Sequence, residues 1–348
     1  MQYRHLVFAL LFILSVLNVN AAGYVKAKYA GEFMATGVDA RALGMGGAFV
    51  AVAEDASAGY WNPAGLASLE YPQIIGMYAE QFDRIVNFNY GAVAGPSGER
   101  SSLGIGFIRL GVDDIPYTGL RNPDLELGAE YTEDGVLMRN LPYVVRTVND
   151  AEWAFYFTYA KISTERLAWG VNIKTVAKTV GDNSAWGLGF DFGARYNLWP
   201  NTIVAANLQD ITTTMLAWDT GRREAITPTV KVGAAHYFNI PLIAGKLIPA
   251  LDLDFRFENR GFASKISFAT ISIDSHVGLE YSFKDRLALR AGIPDVGKFT
   301  AGAGIRLPQL NIDYAFLAHD ELGDTHRISV RLAFEEGRFG RSRFKQKK

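Results

Sequence analysis

The sequence predicts an all-β protein: a transmembrane, antiparallel β-barrel of about 14 strands with a partly helical plug at its N-terminus. Three observations predict this fold. From residue 73 to residue 334, large apolar side chains alternate with small or polar ones, which is the period of strands whose two faces differ. Most alternating runs have 9 to 13 residues, closer to the roughly 9–11 residues of a transmembrane strand than to the 5–6 of a soluble one. Counted along the chain, the odd-numbered connections between strands are mainly long and the even-numbered ones are mainly tight turns. Transmembrane barrels have the same arrangement, with short turns at one rim and longer loops at the other.

The composition of the chain argues against a nucleic-acid-binding protein and against a fold held by disulfides. The chain has 348 residues, of which 49% are hydrophobic and 13% aromatic, and its 35 Lys and Arg nearly balance 36 Asp and Glu. A nucleic-acid-binding protein would carry a basic excess to neutralise phosphates, so no nucleic-acid partner is expected. The chain has no cysteine, so the fold must depend on hydrogen bonds and packing rather than on disulfides.

Residues 1–21 form a predicted signal peptide. Arg4 and His5 precede an apolar run of 12 residues, and the small residues Ala21 and Ala22 provide a cleavage site. A helix of that length spans about 18 Å, which is too short for the roughly 30 Å hydrocarbon core of a membrane. The chain is therefore expected to be exported.

Residues 22–72 form the predicted plug, which is rich in Ala and Gly and lacks the alternation. Asp55 is a candidate cap for a short helix. Asn62 followed by Pro63 predicts an N-cap with proline at the first helical position, so that a helical turn starts at Ala64. Because small residues let backbones approach closely, we expect a compact segment inside the barrel. A leader that only covers the base of the barrel is the alternative.

Residues 73–334 form the predicted barrel. The third connection, 113–150, is the longest, and the seventh, ninth and thirteenth are also extended. The fourteen alternating runs are 73–82, 84–94, 102–112, 151–162, 166–178, 185–198, 202–210, 227–238, 248–258, 272–284, 286–293, 298–307, 309–318 and 325–334.

The C-terminal end of the chain has two features. The last strand ends in Phe334, and such an aromatic-ended strand resembles the signal read by the outer-membrane assembly machinery. A basic tail, residues 335–348, follows it. Disorder is the favoured interpretation of this tail, and a partner-binding motif is the alternative.

Charged residues on the polar faces of the strands are candidate lumen charges. We expect these residues to form ion pairs that hold the plug in the barrel. Acid–base catalysis by Asp252 and Asp254 is the less favoured alternative. The five histidines are scattered and no catalytic motif is present, so no enzyme, no metal site and no cofactor is predicted. The candidate lumen charges are Asp252, Asp254, Arg256, Arg290, Arg306 and Arg331.

The plug segment carries a resemblance to a known family. The stretch from Arg41 to Leu66 resembles the N-terminal signature of PorV/PorQ-type outer-membrane proteins, within the FadL-like transporter superfamily. Its Asn-Pro-Ala sequence is similar to a box in the hatch of FadL-type transporters, which have fourteen-stranded barrels. The residues that carry the resemblance are Arg41, Gly44, Gly46, Gly47, Asp55, Asn62, Pro63 and Ala64.

The resemblance implies an outer-membrane protein of a Gram-negative-type bacterium, in contact with outer-membrane lipid. Its FadL side implies the passage of hydrophobic small molecules. Its PorV side implies a component of a type IX secretion system that binds or shuttles secreted proteins. A purely structural barrel is a third interpretation, and the basic tail departs from the family pattern and leaves the subfamily open.

If hydrophobic molecules pass, we expect them to enter through two of the long connections, 113–150 and 211–226. A shift of the plug near Asn62 would then release them laterally or inward. The large apolar residues of these connections are Tyr117, Leu120, Leu125, Met215, Leu216 and Trp218.

Overall fold

The computed structural model describes residues 25–26, 31–81, 85–258, 260, 264–295, 298–318, 323–335 and 340–341. The predicted signal peptide, residues 1–21, lies outside this range, as does most of the predicted tail. In the described part of the chain, no helix has both the length and the apolar character needed to cross a membrane.

Fourteen antiparallel strands form the wall of a closed barrel, which confirms the predicted fold class. Each strand pairs with the next along the chain, and β14 pairs with β1 to close the sheet. The strands are β1 (Gln73–Gln81), β2 (Val86–Pro96), β3 (Ser101–Leu120), β4 (Pro142–Ile162), β5 (Leu167–Val180), β6 (Asn183–Trp199), β7 (Thr202–Gln209 and Thr214–Trp218), β8 (Arg223–Ile226, Thr229–His236 and Phe238–Ile240), β9 (Gly245–Arg256), β10 (Ile271–Phe283), β11 (Leu287–Ile293), β12 (Thr300–Arg306), β13 (Leu310–Leu317) and β14 (Thr325–Ala333).

The third connection differs most from the prediction. Much of 113–150, expected to be a loop, continues β3 and β4 as a paired ladder. β2 pairs with β3 only as far as Gly111, and β5 pairs with β4 only as far as Asp150, so this ladder stands beyond its neighbours. Strand propensity from Val144 and Val145 outweighs the weak alternation there. We call residues 113–150 the projecting hairpin.

The two faces of the wall differ, as the alternation predicts. In β9, the side chain of Leu251 is 48% exposed on the outside, whereas Asp252 and Asp254 are each 1% exposed on the inside. An apolar outer face with a polar inner face is typical of barrels that sit in lipid. Other exposed apolar residues of the outer face include Ile105, Phe157, Ile173, Phe190, Val277, Leu289 and Ile328.

The two ends of the barrel are unlike each other. Short turns at 163–166, 200–201, 284–286 and 307–309 gather at one end, together with the start of β1 and the end of β14. We call this end the turn rim. The projecting hairpin stands at the opposite end, which we call the loop rim.

The segment before β1 folds into short helices inside the lumen, and we call residues 31–72 the plug. It contains α1 (Glu32–Ala35), α2 (Ala40–Gly44), α3 (Ala58–Trp61) and a 3₁₀ helix (Pro63–Ser68). Asn62 is the N-cap of the 3₁₀ helix, and its Oδ1 accepts a hydrogen bond from the Ala64 amide at 3.1 Å, as predicted. Asp55 is not itself the cap of α3. Its carboxylate accepts hydrogen bonds from Ser57, which is the N-cap residue.

Glycines in the wall let the plug backbone reach the barrel backbone. Gly170 on β5 and Gly193 on β6 are cross-strand partners. A Cβ on Gly170 would lie 2.5 Å from the carbonyl carbon of Pro63, and one on Gly193 would lie 2.8 Å from its Cδ. Across the lumen, a Cβ on Gly302 would lie 3.1 Å from the Cα of Gly44. The plug backbone therefore contacts the wall backbone at positions where the wall residue is glycine.

We predict that Gly193→Ala displaces the Asn62–Pro63 turn from the wall, because the added methyl group occupies the space of Pro63. Overpacking of this kind costs about 1–3 kcal/mol. Urea unfolding followed by tryptophan fluorescence would measure the loss, and ion conductance in planar bilayers would rise. The control is Gly76→Ala, since a Cβ there would meet only the Tyr90 carbonyl oxygen, at 4.0 Å. Equal stability of the two variants would contradict the packing argument.

Candidate functional site

Trp61 is the centre of the plug's internal packing. Its ring meets Phe49 at 5.8 Å and Tyr60 at 5.0 Å between centroids, in both cases edge to face. Its indole N–H donates to the Val38 carbonyl at 3.0 Å, and the Tyr60 hydroxyl donates to the Met34 carbonyl at 2.6 Å. These contacts join α1 and α3 to the chain between them, so the plug is a packed unit.

Amide side chains join this unit to the wall. Asn62 donates from Nδ2 to the carbonyl oxygens of Val50, at 3.1 Å, and of Ala194 in β6, at 3.3 Å. From the wall, Asn172 donates to the Gly59 carbonyl at 2.7 Å, and Asn207 donates to the Trp61 carbonyl at 2.9 Å. These two amides satisfy carbonyl groups of α3 that have no partner within so short a helix.

A single wall carboxylate, Glu280 in β10, binds three arginines. Arg41 of the plug donates to it from Nε at 2.9 Å and from Nη2 at 3.0 Å. Arg290 donates from Nε at 2.6 Å, and Arg306 donates from Nη2 at 2.7 Å. The side chains of Glu280 and Arg290 are 0% exposed. Because a buried charge is stable only when it is paired, this cluster fixes Arg41 and, with it, α2.

Two of the predicted lumen charges bond the plug directly. Asp252 accepts hydrogen bonds from the backbone amides of Phe49, at 2.6 Å, and Val50, at 2.8 Å. Arg331 forms an ion pair with Asp55 of the plug. Both contacts join the polar inner face of a strand to the plug, and both satisfy groups that water does not reach.

The other four predicted lumen charges also lie inside the barrel, but their bonds are mostly to the wall. Arg290 and Arg306 reach the plug only through Glu280, and Arg256 approaches Glu32 of α1 no closer than 3.9 Å. Asp254 pairs with Lys231 and with His276, whose Nδ1 lies 2.9 Å from the Gly46 carbonyl oxygen. Asp254, Arg290 and Arg306 therefore act on the plug through a second wall residue, His276 or Glu280, and their role in retaining it stays a prediction.

Glu280 is not among the lumen charges predicted from the sequence, although a signal was present. Glu280 lies on the inward face of β10 between Gly278 and Ser282, in the same alternation that marked the other lumen charges. What the sequence could not show is that three arginines from separate elements converge on it. Such a convergence depends on the closure of the barrel.

The basic tail is anchored at Arg341, so the expectation of disorder is wrong at this position. Its guanidinium donates to the carbonyls of Leu69, at 2.6 Å, Ala67, at 2.8 Å, and Glu99, at 2.9 Å, and to the Ser102 hydroxyl at 2.8 Å. Two of these carbonyls end the 3₁₀ helix of the plug, where a cation is electrostatically favoured. The tail therefore contacts plug and wall together at the turn rim.

The eight motif residues of the plug are all buried, and each has a structural role. Arg41, Asp55 and Asn62 make the polar contacts described above. Gly44 and Gly46 pack against wall backbone, Gly47 lies beside the ring of His276, and Pro63 and Ala64 begin the 3₁₀ helix against β5 and β6.

A cavity of about 230 Å³ lies between the plug and the loop rim, and we call it the loop-side cavity. Tyr60 and Trp61 form part of its plug side. Its wall side is mainly polar and includes Gln81, Lys231, Asp254, Arg256, Arg260, His276, Thr325 and Arg327. Among the described residues, no group of three or more acidic or histidine side chains is arranged to hold a metal ion.

The structure does not bring the six predicted access residues together, and none of them lines the loop-side cavity. Leu216 is fully buried in β7, whereas Tyr117 is 56% exposed on the projecting hairpin. Five of the six also lie in strands rather than in loops. The strand residues are Tyr117 and Leu120 in β3 and Met215, Leu216 and Trp218 in β7, while Leu125 lies in the turn region of the hairpin.

Solved structures with this fold include hydrocarbon transporters. The toluene transporter TbuX of Ralstonia pickettii has a TM-score of 0.54 at 14% identity, over 86% of this chain and 99% of its own. A FadL homologue of Pseudomonas aeruginosa has a TM-score of 0.51 at 12% identity, over 86% of this chain and 98% of its own. The toluene transporter TodX of P. putida has a TM-score of 0.50 at 12% identity, over 86% of this chain and 99% of its own.

These likenesses establish a shared barrel fold. No protein-family model matches the sequence, and no curated protein matches it. The resemblance of the plug motif to PorV/PorQ-type proteins therefore stays a prediction.

We predict that Glu280→Gln loosens the plug, because three arginines lose their shared counter-charge. Removing one partner of a buried ion pair costs about 3–5 kcal/mol. Urea unfolding would measure this loss, and planar-bilayer conductance would rise as Arg41 is released. The matched control is Asp182→Asn, which breaks an exposed pair with Arg146 and should change neither quantity appreciably. A Glu280→Gln protein as stable and as tightly closed as the control would contradict the role of the cluster.

Proposed function

We propose that this protein sits in the outer membrane of a Gram-negative-type bacterium and passes hydrophobic small molecules through its barrel. The apolar outer face suits lipid, and the loop rim would face the outside of the cell, as long loops do in such barrels. The shared fold includes proteins whose names identify them as toluene transporters, which supports the class of cargo.

The observation that carries the proposal is a cavity next to a plug that no disulfide links to the wall. The loop-side cavity presents the rings of Tyr60 and Trp61 at its base. The plug below it is held by hydrogen bonds and ion pairs, and the protein has no cysteine that could fix it by a disulfide. A molecule that packs against these two rings is in direct contact with α3, the element that would have to move.

Movement of α3 would open the lumen on the side of β4 to β6. The Asn62–Pro63 turn follows α3 and rests on Gly170 and Gly193, where no wall side chain obstructs it. A small rotation there breaks a few hydrogen bonds from amides, while the Glu280 cluster keeps α2 in place. The plug would therefore shift at one end and remain anchored at the other.

The decisive experiment measures uptake with the plug free and with the plug locked. A Cβ on Gly59 lies 3.8 Å from the Cβ of Thr158 in β4, which is close to the mean separation of about 3.8 Å in disulfides. We expect cells that produce the wild-type protein to take up labelled toluene or labelled long-chain fatty acid faster than cells without it. Oxidised Gly59→Cys/Thr158→Cys protein should fall to the rate of cells without the protein, and a reductant should restore uptake.

The two single-cysteine variants are the matched controls and should transport with and without oxidant. If wild-type protein accelerates the uptake of neither compound, the proposed function is wrong. If the oxidised double variant transports at the wild-type rate, passage does not need movement of α3.

A second candidate function follows from the projecting hairpin together with the PorV-like motif. The hairpin exposes apolar side chains beyond the barrel: Leu127 is 68% exposed, Leu137 is 67% exposed and Val136 is 59% exposed. Exposed apolar groups of this size mark surfaces that bind other proteins. We propose this hairpin as the contact for secreted proteins if the protein serves a type IX secretion system.

Affinity purification from native membranes tests the second candidate. The wild-type protein should retain secreted proteins or secretion-system components, and Leu127→Ser/Leu137→Ser protein should lose them. The control is Leu242→Ser in the turn rim, where the side chain is 94% exposed but far from the hairpin. Recovery of no such partner with the wild-type protein would refute this candidate and leave small-molecule passage untouched.

A further inference from the structure

Arg327 is a buried cation that has no counter-charge among the described residues. It lies on the inner face of β14 and is only 5% exposed. No carboxylate of the described residues lies within ion-pair distance of its guanidinium, and its Nε has no hydrogen-bond partner. This contrasts with the inward-facing arginines Arg256, Arg290, Arg306 and Arg331, each of which lies within 4.0 Å of a carboxylate.

The neighbours of Arg327 explain why it is unpaired. Its cross-strand partners are Ala79 on β1 and Ala315 on β13, and neither side chain can reach a guanidinium. The nearest inward residue toward the turn rim is Ser329, which is bonded to Asp39 of the plug. An unpaired buried charge costs several kcal/mol, so a protein that keeps one leaves a place for a partner.

Arg327 lines the loop-side cavity together with two other polar residues of the same region. Gln81, two residues after Ala79 on the same face of β1, is 7% exposed, and its Nε2 has no hydrogen-bond partner. Thr325, two residues before Arg327, also lines the cavity. Gln81 Nε2 and Arg327 Nε, neither of which has an acceptor among the described residues, therefore belong to side chains that line one cavity.

One cation of the loop-side cavity has no carboxylate partner among the described residues, and this cation favours an anionic ligand. The lining of the cavity contains four cationic residues, Lys231, Arg256, Arg260 and Arg327, against three carboxylates, Glu32, Asp254 and Asp295. The first three of these cations are paired with carboxylates of the wall. With Asp274, the partner of Arg260, the carboxylates equal the cations in number, and Arg327 is the cation that has no carboxylate partner among the described residues. A guanidinium binds a carboxylate through two parallel hydrogen bonds.

We propose that the loop-side cavity binds an aromatic carboxylate, with its oxygen atoms on Arg327 and Gln81 and its ring against Tyr60 and Trp61. A cavity of about 230 Å³ can hold one ring, since benzene fits in a protein cavity of about 150 Å³. The inference rests on the proposed passage of small molecules and specifies their class: apolar at one end and anionic at the other. A neutral hydrocarbon would fill the cavity but leave the cation unpaired.

The test measures binding of benzoate, toluene and acetate to the purified, detergent-solubilised protein by titration calorimetry at neutral pH. Benzoate should bind the wild-type protein at least tenfold more tightly than either toluene, which lacks the charge, or acetate, which lacks the ring. Arg327→Gln should weaken benzoate binding about ten- to hundredfold, as expected for a lost hydrogen-bonded charge. Arg327→Lys should retain part of the affinity, and Arg146→Gln, the exposed control, should retain all of it.

A second readout separates a ligand site from a structural role. Because Arg327→Gln removes an unpaired buried charge, its thermal unfolding temperature should equal or exceed that of the wild-type protein without ligand, and benzoate should raise only the wild-type value. If Arg327→Gln lowers the unfolding temperature but leaves the benzoate affinity unchanged, the proposed site is wrong. It is also wrong if benzoate binds no more tightly than toluene or acetate.

The outcomes also distinguish this inference from the proposed function. Toluene uptake without specific benzoate binding would refute the anion site and leave the passage of hydrophobic molecules standing. Benzoate binding that depends on Arg327, with no uptake of any labelled compound, would support the site and refute passage.

Discussion

The width of a fourteen-stranded barrel is the constraint on which the rest of the structure depends. Barrels of about eight strands can be filled by their own side chains, whereas larger ones leave a lumen. In this chain the plug fills the lumen. The plug therefore determines which residue types lie on the inner face of the wall. Glycines such as Gly170, Gly193 and Gly302 stand where the plug backbone touches the wall, because a side chain there would push it away. Polar side chains stand where plug carbonyls and amides would otherwise lose their partners, as Asn172, Asn207 and Asp252 do.

The charges of the lumen follow from the same constraint. Because the plug excludes water from the lumen, each inward charge needs a partner of opposite charge. In this chain, several of these charges share one partner. Glu280 serves three arginines, while Asp254 serves both Lys231 and His276. Sharing makes each cluster cooperative, since loss of one member leaves several charges buried without compensation. It also concentrates the connection between plug and wall at a few positions. The buried Glu280 cluster holds α2, whereas α3 is held mainly by hydrogen bonds from Asn172 and Asn207 and by glycine contacts.

The sequence predicted the barrel far better than the site, and the reason is physical. Strand alternation is a local property, so the period-two pattern located all fourteen strands, and the cap at Asn62 could likewise be read from two adjacent residues. Contacts between plug and wall join residues more than 100 positions apart, as in the pair Arg41 and Glu280, and no local pattern encodes them. The inward position of Asp254 was predictable, but not that its partners are Lys231 and His276. The sequence pattern predicts a loop at the projecting hairpin, because paired strands that extend beyond the barrel wall need no regular alternation of apolar and polar residues.

The two sides of the plug are chemically different, and this difference gives the barrel a direction. On the turn-rim side, Arg341 of the tail binds carbonyls of the plug and a hydroxyl of the wall, and Arg331 binds Asp55, so both of these arginines have acceptors within the chain. On the loop-rim side, Arg327 and Gln81 are buried with unmatched atoms beside the rings of Tyr60 and Trp61. The anion that we propose for the loop-side cavity would be a molecule that arrives from the loop rim and meets Arg327 and Gln81 there. Such a molecule would contact the end of the plug that is held by the weaker bonds.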